Sequence, residues 1–146
     1  MKDSYKKHNH KLHIVIGCGR LGASIASMLS ARGIEVIVID NVKEAFGRLS
    51  PSFTGFTIEA DACDTHILEN ADINKAGVIL VATGDDNNNI MISQIAKVIY
   101  EMPVVVARLY DMEKEALLTG SGIGVIYPVK LEIEAFRNLV GMTAEE

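Results

Sequence analysis

Near the amino terminus an apolar run stops at a glycine-rich turn and a helical pattern begins at once: Leu12-His13-Ile14-Val15-Ile16-Gly17-Cys18-Gly19-Arg20-Leu21-Gly22. A G-x-G-x-x-G spacing set between a strand and a helix admits few folds. Gly17 is expected to allow the sharp turn off the strand. Gly19 would let a pyrophosphate approach the backbone with no Cβ in the way, and Gly22 would let the helix pack closely on a sheet. The helix start then offers unpaired N–H groups and a partial positive charge to phosphate. The stretch therefore predicts a nucleotide site. It does not say whether the nucleotide serves chemistry or signalling.

The rest of the chain repeats the same alternation. The helix is expected over residues 20–32, with Leu21, Ile25, Met28 and Leu29 on one face and Gly33 just past its end. Residues 35–40 read as a strand, apolar at four successive positions, as suits a parallel sheet covered on both faces. A short helix over 41–49, a weaker strand over 54–60 and a short helix over 64–70 capped by Asp64 follow. A buried strand is expected over 76–83, then a helix to about Tyr100 with Met91, Ile92, Ile95 and Ile99 as its buried stripe. Strands over 104–108 and 124–127 flank a helix over 111–119. Pro128 opens a last helix, 129–140. Strands and helices in this order predict an α/β, Rossmann-like, doubly wound six-stranded parallel sheet in three layers. One such domain, residues 11–141, fills the 146 residues, between a flexible basic tail over 1–10 and a short tail over 142–146.

The net charge of −5 argues against general nucleic-acid binding, which wants a basic face. No apolar run approaches the ~20 residues that a membrane helix requires, and no secretory signal is present. Cys18 and Cys63 have no metal-type spacing and suggest no disulfide scaffold, which fits a reducing, cytoplasmic setting.

The glycine loop has a partner in Asp40, which ends the second strand 18 residues after Gly22. An acid there accepts hydrogen bonds from ribose hydroxyls and disfavours a 2′-phosphate; it could equally cap the next helix. Arg20 is a cation in a first helical turn, against the helix dipole, unless an anion binds there or the side chain swings into solvent. Asp61-Ala62-Cys63 falls at the carboxyl edge where an adenine is expected, or forms a capped loop. Thr83, Gly84 and Asp85 follow the fourth strand on the other side of the fold's switch point, where Asp85 and Asp86 also suit a helix start. A catalyst is harder to find. His8 and His10 are in the tail, His13 is inside a strand and His66 lies on a short helix; none pairs with an acid or a nucleophile. Tyr110 and Lys114 match the Y-x-x-x-K pair of short-chain dehydrogenases, but directly after a strand and with no substrate segment beyond. Cys18 reads as a small filler rather than a redox group.

Together these pieces resemble the N-terminal RCK/KTN domain, also called TrkA-N, the nucleotide-binding regulatory domain of Trk- and Ktr-type potassium uptake systems and of some potassium channels. The resemblance runs from about Lys11 to Gly141. It rests on Ile16 to Gly22 with its arginine, Val38-Ile39-Asp40, Asp61-Ala62, Thr83-Gly84-Asp85-Asp86-Asn87-Asn88-Asn89, and Ala107-Arg108 with Asp111. It implies a non-catalytic domain that binds an adenine nucleotide, NAD(H), ATP, ADP or AMP, and magnesium could accompany ATP. Gly17, Cys18, Gly19, Leu21 and Gly22 would form the phosphate cradle. Arg20 would touch terminal phosphates, including those on a neighbouring subunit. Asp40 with Asn41 would hold the ribose, Asp61 and Ala62 would face the adenine, and Thr83, Gly84, Asp85 and Arg108 would complete the site. The resemblance also implies a homodimer or octameric ring beneath a membrane potassium-translocating subunit, at the inner face of the cell membrane but not inserted in it. The last helix would cross to a partner, though its apolar positions fit packing on its own sheet as well. Glu59-Ala60 departs from the family, which often has a glycine before the aspartate. Many relatives also continue into a second domain, so the chain is either a single-domain member or a fragment. The alternative from another class is an NAD-dependent oxidoreductase, or its detached dinucleotide domain.

Overall fold

In the computed structural model residues 1–145 are described; Glu146, in the expected tail, lies outside them. The strands are β1 (Leu12–Ile16), β2 (Val36–Asp40), β3 (Phe56–Glu59), β4 (Ala76–Val81), β5 (Val104–Arg108) and β6 (Gly124–Ile126). The α-helices are α1 (Lys2–His8), α2 (Arg20–Ala31), α3 (Thr65–Asn70), α4 (Asp86–Gln94) and α5 (Pro128–Val140). All six strands are parallel, in the order β3-β2-β1-β4-β5-β6. The Rossmann-like α/β expectation therefore holds. The order reverses between β1 and β4, and Ile16 stands beside Ile39 on one side and Val81 on the other.

The continuous apolar runs exist because both sheet faces are covered. Alternate residues go to opposite cores. Ile14, Ile16, Ile37, Ile39, Ile79 and Val81 join Leu68 of α3 and Ile90 and Ile92 of α4 on one face. Val15, Val36, Val38 and Leu80 join Ala23, Ala26 and Leu29 of α2 on the other. Full burial of each large side chain contributes roughly 1.5–3 kcal/mol, so a polar substitution in β1 would cost the sheet on whichever face it points to.

Several local features differ from the periodicity. The contact face of α2 is Gly22, Ala23, Ala26 and Leu29; Leu21 and Ile25 are half-buried at its flank and Met28 is exposed. Small residues bring this helix close to the sheet, and size, not hydrophobicity, sets its face. In α4 the buried residues are Asn89, Ile90, Ile92 and Ser93, whereas Met91 and Ile99 are exposed. A π-helical turn over Ile95–Ile99 rotates the register there, and the stripe expected from a regular helix is broken. The segments Lys43–Arg48 and Met112–Leu117 are 3-10 helices. Gly33 ends α2 in the left-handed region, with φ +77, and the Ile34 N–H donates to the Leu29 carbonyl at 3.1 Å. Asp64 caps α3, accepting from the His66 N–H at 3.0 Å.

The largest differences lie at the two ends. Residues 1–10, expected as a solvated tail, contain α1, which packs over the start of β5: Ser4 Oγ donates to the Pro103 carbonyl at 3.2 Å. At the other end α5 buries none of its residues, and Val129, Leu131, Ile133, Phe136, Leu139 and Val140 are all exposed. Of the two placements considered for this helix, packing on its own sheet does not occur.

Candidate functional site

The carboxyl ends of β1, β2, β4 and β5 converge where the strand order reverses, as doubly wound sheets place their ligand crevices. A cleft of about 620 Å³ opens there. Its wall includes Gly17, Cys18, Gly19, Arg20, Asp40, Asn41, Asp61, Ala62, Thr83, Gly84, Asp85 and Arg108. Of the residues singled out in the sequence, Leu21 and Gly22 do not line it. Both sit on the helix behind the loop.

The three glycines of the loop are required for different reasons. Gly17 has φ +93, and a Cβ on it would lie 2.3 Å from the Ala82 carbonyl oxygen. A Cβ on Gly22 would lie 1.8 Å from the Gly17 carbonyl oxygen. Both are fixed by the chain's own packing. Gly19 is not: its φ is −80, and a Cβ there would meet nothing within 4 Å. The space it leaves faces the cleft.

Gly19 is also the N-cap of α2 and supplies no capping side chain, and the first turn holds no acid. The first intrahelical bond runs from the Ala23 N–H to the Gly19 carbonyl at 2.9 Å, so the N–H groups of the opening turn have no helical acceptor. By contrast α3 and α4 are both capped, α4 by Asp85 accepting from the Asn88 N–H at 3.0 Å. Asp85 thus serves as the helix-start acid and also lines the cleft. Arg20 is exposed and bonds nothing in the described chain. Its charge adds to the positive end of α2 where an anion would reverse the cost.

Asp40 faces this positive end. Its Oδ2 accepts from the Cys18 N–H at 2.7 Å and its Oδ1 from the Val42 N–H at 2.8 Å. Each oxygen keeps a free lone pair, so the carboxylate is held in place and can still accept from vicinal hydroxyls. Cys18 is fully buried beside it. Burial, then the Asp40 charge, pushes the Cys18 thiol up, with Arg48 opposing. Burial and a hydrogen bond to Asp61 push Cys63 the same way. Neither thiol is activated as a nucleophile.

The opposite wall depends on Thr83 and Arg108, expected there from the resemblance, and on Asn89, whose role the sequence did not show. Asn89 is fully buried, and its Nδ2 donates to the Thr83 carbonyl at 3.1 Å and the Arg108 carbonyl at 2.9 Å. Its Oδ1 accepts from the Thr83 N–H at 3.0 Å and from the Thr83 hydroxyl. One amide therefore fixes the ends of β4 and β5 together. Arg108 is buried, donates from Nη2 to the Ala82 and Thr83 carbonyls at 3.1 Å each, and lies 4.9 Å over the Tyr110 ring. Among the described residues it has no carboxylate partner, and its Nε bonds nothing. Arg48 completes the cationic set from the 3-10 segment after β2, reaching to 3.5 Å from the Cys18 carbonyl. No periodicity marks Asn89 or Arg48; Asn89 falls in the polar run Asp85 to Asn89 that carries part of the resemblance. The Tyr110–Lys114 pair is split, since Lys114 Nζ donates to Asn87 Oδ1 at 3.1 Å while the Tyr110 ring packs under Arg108.

The TrkA-N domain family model matches residues 13–128. The Trk system potassium uptake protein TrkA of Streptomyces coelicolor is 34% identical over 120 residues, covering 82% of this chain and 54% of that protein. A TrkA homolog of Pyrococcus horikoshii is 33% identical over 104 residues, 71% of this chain and 46% of that one. The chain thus spans about half the length of these relatives. Among solved structures, the GsuK channel bound to NAD is similar with a TM-score of 0.76 and 26% identity over 90% of this chain and 23% of that one. GsuK bound to ADP gives 0.76 and 25% identity over 93% of this chain and 35% of that one.

Proposed function

The chain belongs to the TrkA-N family, and from that premise we propose that it is a nucleotide-sensing regulatory module of a potassium transporter or channel. It binds NAD(H), ATP, ADP or AMP and gates potassium flux without turning a substrate over. The observation that carries this reading is Gly19. It is the one loop glycine the fold itself does not need, and it opens onto uncapped N–H groups, Arg20 and Asp40. A pyrophosphate fits that space, a ribose fits Asp40, and the cleft wall at Asp61 and Ala62 fits an adenine. Relatives named for potassium uptake, and a channel of the same fold bound to NAD and to ADP, supply the biological setting. Among the described residues no three His, Cys, Asp or Glu side chains converge to hold a metal, so magnesium in this reading arrives on ATP phosphates.

In this reading the chain works as a homodimer or ring at the inner face of the membrane, with α5 crossing to the partner subunit. No described helix is long and apolar enough to cross a membrane, so the pore is another polypeptide or another part of a longer one.

A thermal-shift series with ATP, ADP, AMP, NAD⁺ and NADH tests the nucleotide site. At 100 times its Kd a ligand adds about 2.7 kcal/mol of stability. Arg20→Ala and Asp40→Ala should each weaken binding about tenfold or more, the worth of one charge-assisted contact. Wild-type affinity in both variants would refute the site, and no response to any adenine nucleotide would refute the function.

A further inference from the structure

The first eleven residues carry a charge that the cleft does not use. Lys2, Lys6, Lys7 and Lys11 stand against one acid, Asp3, so this segment is +3 while residues 12–146 are −8. All four lysines are exposed, and none of their ammonium groups makes a hydrogen bond or ion pair among the described residues. Lys2, Lys6 and Lys7 are nevertheless ordered on a seated helix. Ser4, Tyr5 and His8 form the inner side of α1. Besides the Ser4 bond to Pro103, the Tyr5 ring stands edge-on to His13, with centroids 5.8 Å apart. The body leaves room for this helix. A Cβ on Gly77 would lie 2.7 Å from the His8 carbonyl oxygen, and one on Gly124 would lie 2.7 Å from the Met1 Cε. The helix therefore lies across the starts of β4 and β5, at the sheet edge opposite the cleft.

We propose that the outer face of α1, with Lys11, docks the chain on anionic lipid headgroups. It rests on the reading above only for the nearness of a membrane. Several features favour lipid over a nucleic acid or an acidic protein. A seven-residue helix is about 10 Å long, too short to track a phosphate backbone. The cations are all lysines, point charges on flexible stems, which suit a diffuse headgroup layer better than one bidentate site. The outer face carries no large apolar side chain between Lys2 and Lys7, so the attachment is electrostatic and does not insert. Such a contact also turns the cleft edge away from the bilayer and leaves it open.

The test is co-sedimentation of the full chain with vesicles of phosphatidylcholine alone or with about 30% phosphatidylglycerol, at about 50 and about 500 mM KCl. Wild-type protein should sediment with the anionic vesicles at low salt, ignore the neutral ones, and be released at high salt. A lysine near such a surface is worth about fivefold in partitioning, so K2Q/K6Q/K7Q should bind about a hundredfold more weakly. The same variant should keep the wild-type melting temperature and nucleotide response, because its changes are on the surface and far from the cleft. Wild-type protein that ignores anionic vesicles, a triple variant that binds like the wild type, or a preference for single-stranded nucleic acid or polyglutamate over vesicles would overturn the proposal. Vesicle binding by a protein that responds to no nucleotide would refute the proposed function and leave this inference standing.

Discussion

Gly19 and Gly22 look alike in the sequence, and a substitution separates them. Gly22→Ala forces a Cβ to 1.8 Å from a backbone oxygen that cannot yield without opening the loop. It should destabilise the fold by about 3 kcal/mol, at the upper end of overpacking costs. Gly19→Ala adds a methyl group to open space at an ordinary φ, so stability should stay within about 0.5 kcal/mol of wild type. The same methyl group occupies the approach to the uncapped N–H groups, so nucleotide affinity should fall about tenfold or more. Urea unfolding and calorimetric titration of the two variants check this. A Gly19→Ala protein with wild-type affinity would remove the role given to the loop. Motif spacing identifies all three glycines, but only the structure shows which two the fold needs for itself. Arg108 was legible only through the family resemblance, because its lack of a counter-charge depends on what folds around it. Asn89 was not legible as a buried hub at all, since the strand ends it ties together are distant in sequence.

At the scale of elements, α5 is the clearest unfinished piece. Its polar residues Lys130 and Glu134 face a groove of its own domain, with Leu131 beside them, and its other large apolar residues point away. An exposed apolar helix face is normally covered, and in the proposed reading the equivalent surface of a second subunit covers it. Phe136→Glu with Leu139→Glu should therefore convert a dimer to a monomer, read by light scattering on a sizing column, while the melting temperature of the separate domain hardly changes. A wild-type monomer at micromolar concentration, or a double variant that still dimerises, would reject the crossover. The last helix was placed in the sequence to within one residue, yet its partner was ambiguous there, because amphipathicity shows that a face must be covered and not by what. The same limit explains α2 and α4, whose apolar stripes were shifted by small-residue packing and by a π-turn. It also explains α1, whose seat includes Gly77 and Pro103, far along the chain.

For the whole molecule, the parallel order and its reversal between β1 and β4 were legible because each continuous apolar run required helices on both faces and short connections permit few topologies. That reversal makes the cleft a seam between two halves. One wall is the β1–β2 loop system with Gly19 and Asp40; the other is the β4–β5 system tied by Asn89 and Arg108. β1 and β4 join them through the sheet, and Gly17 of the first set lies against Ala82, just past the end of β4. A nucleotide that spans the seam would contact both sets of loops. Hydrogen exchange should thus slow together at residues 18–22 and 83–86 when NAD⁺ saturates the protein, with little change at α1 or α5. AMP lacks the second half of the dinucleotide, so it should protect the first segment more than the second. Protection confined to residues 18–22 with every nucleotide would mean that only one half reads the ligand, and that the proposed gating signal cannot originate in closure of the seam.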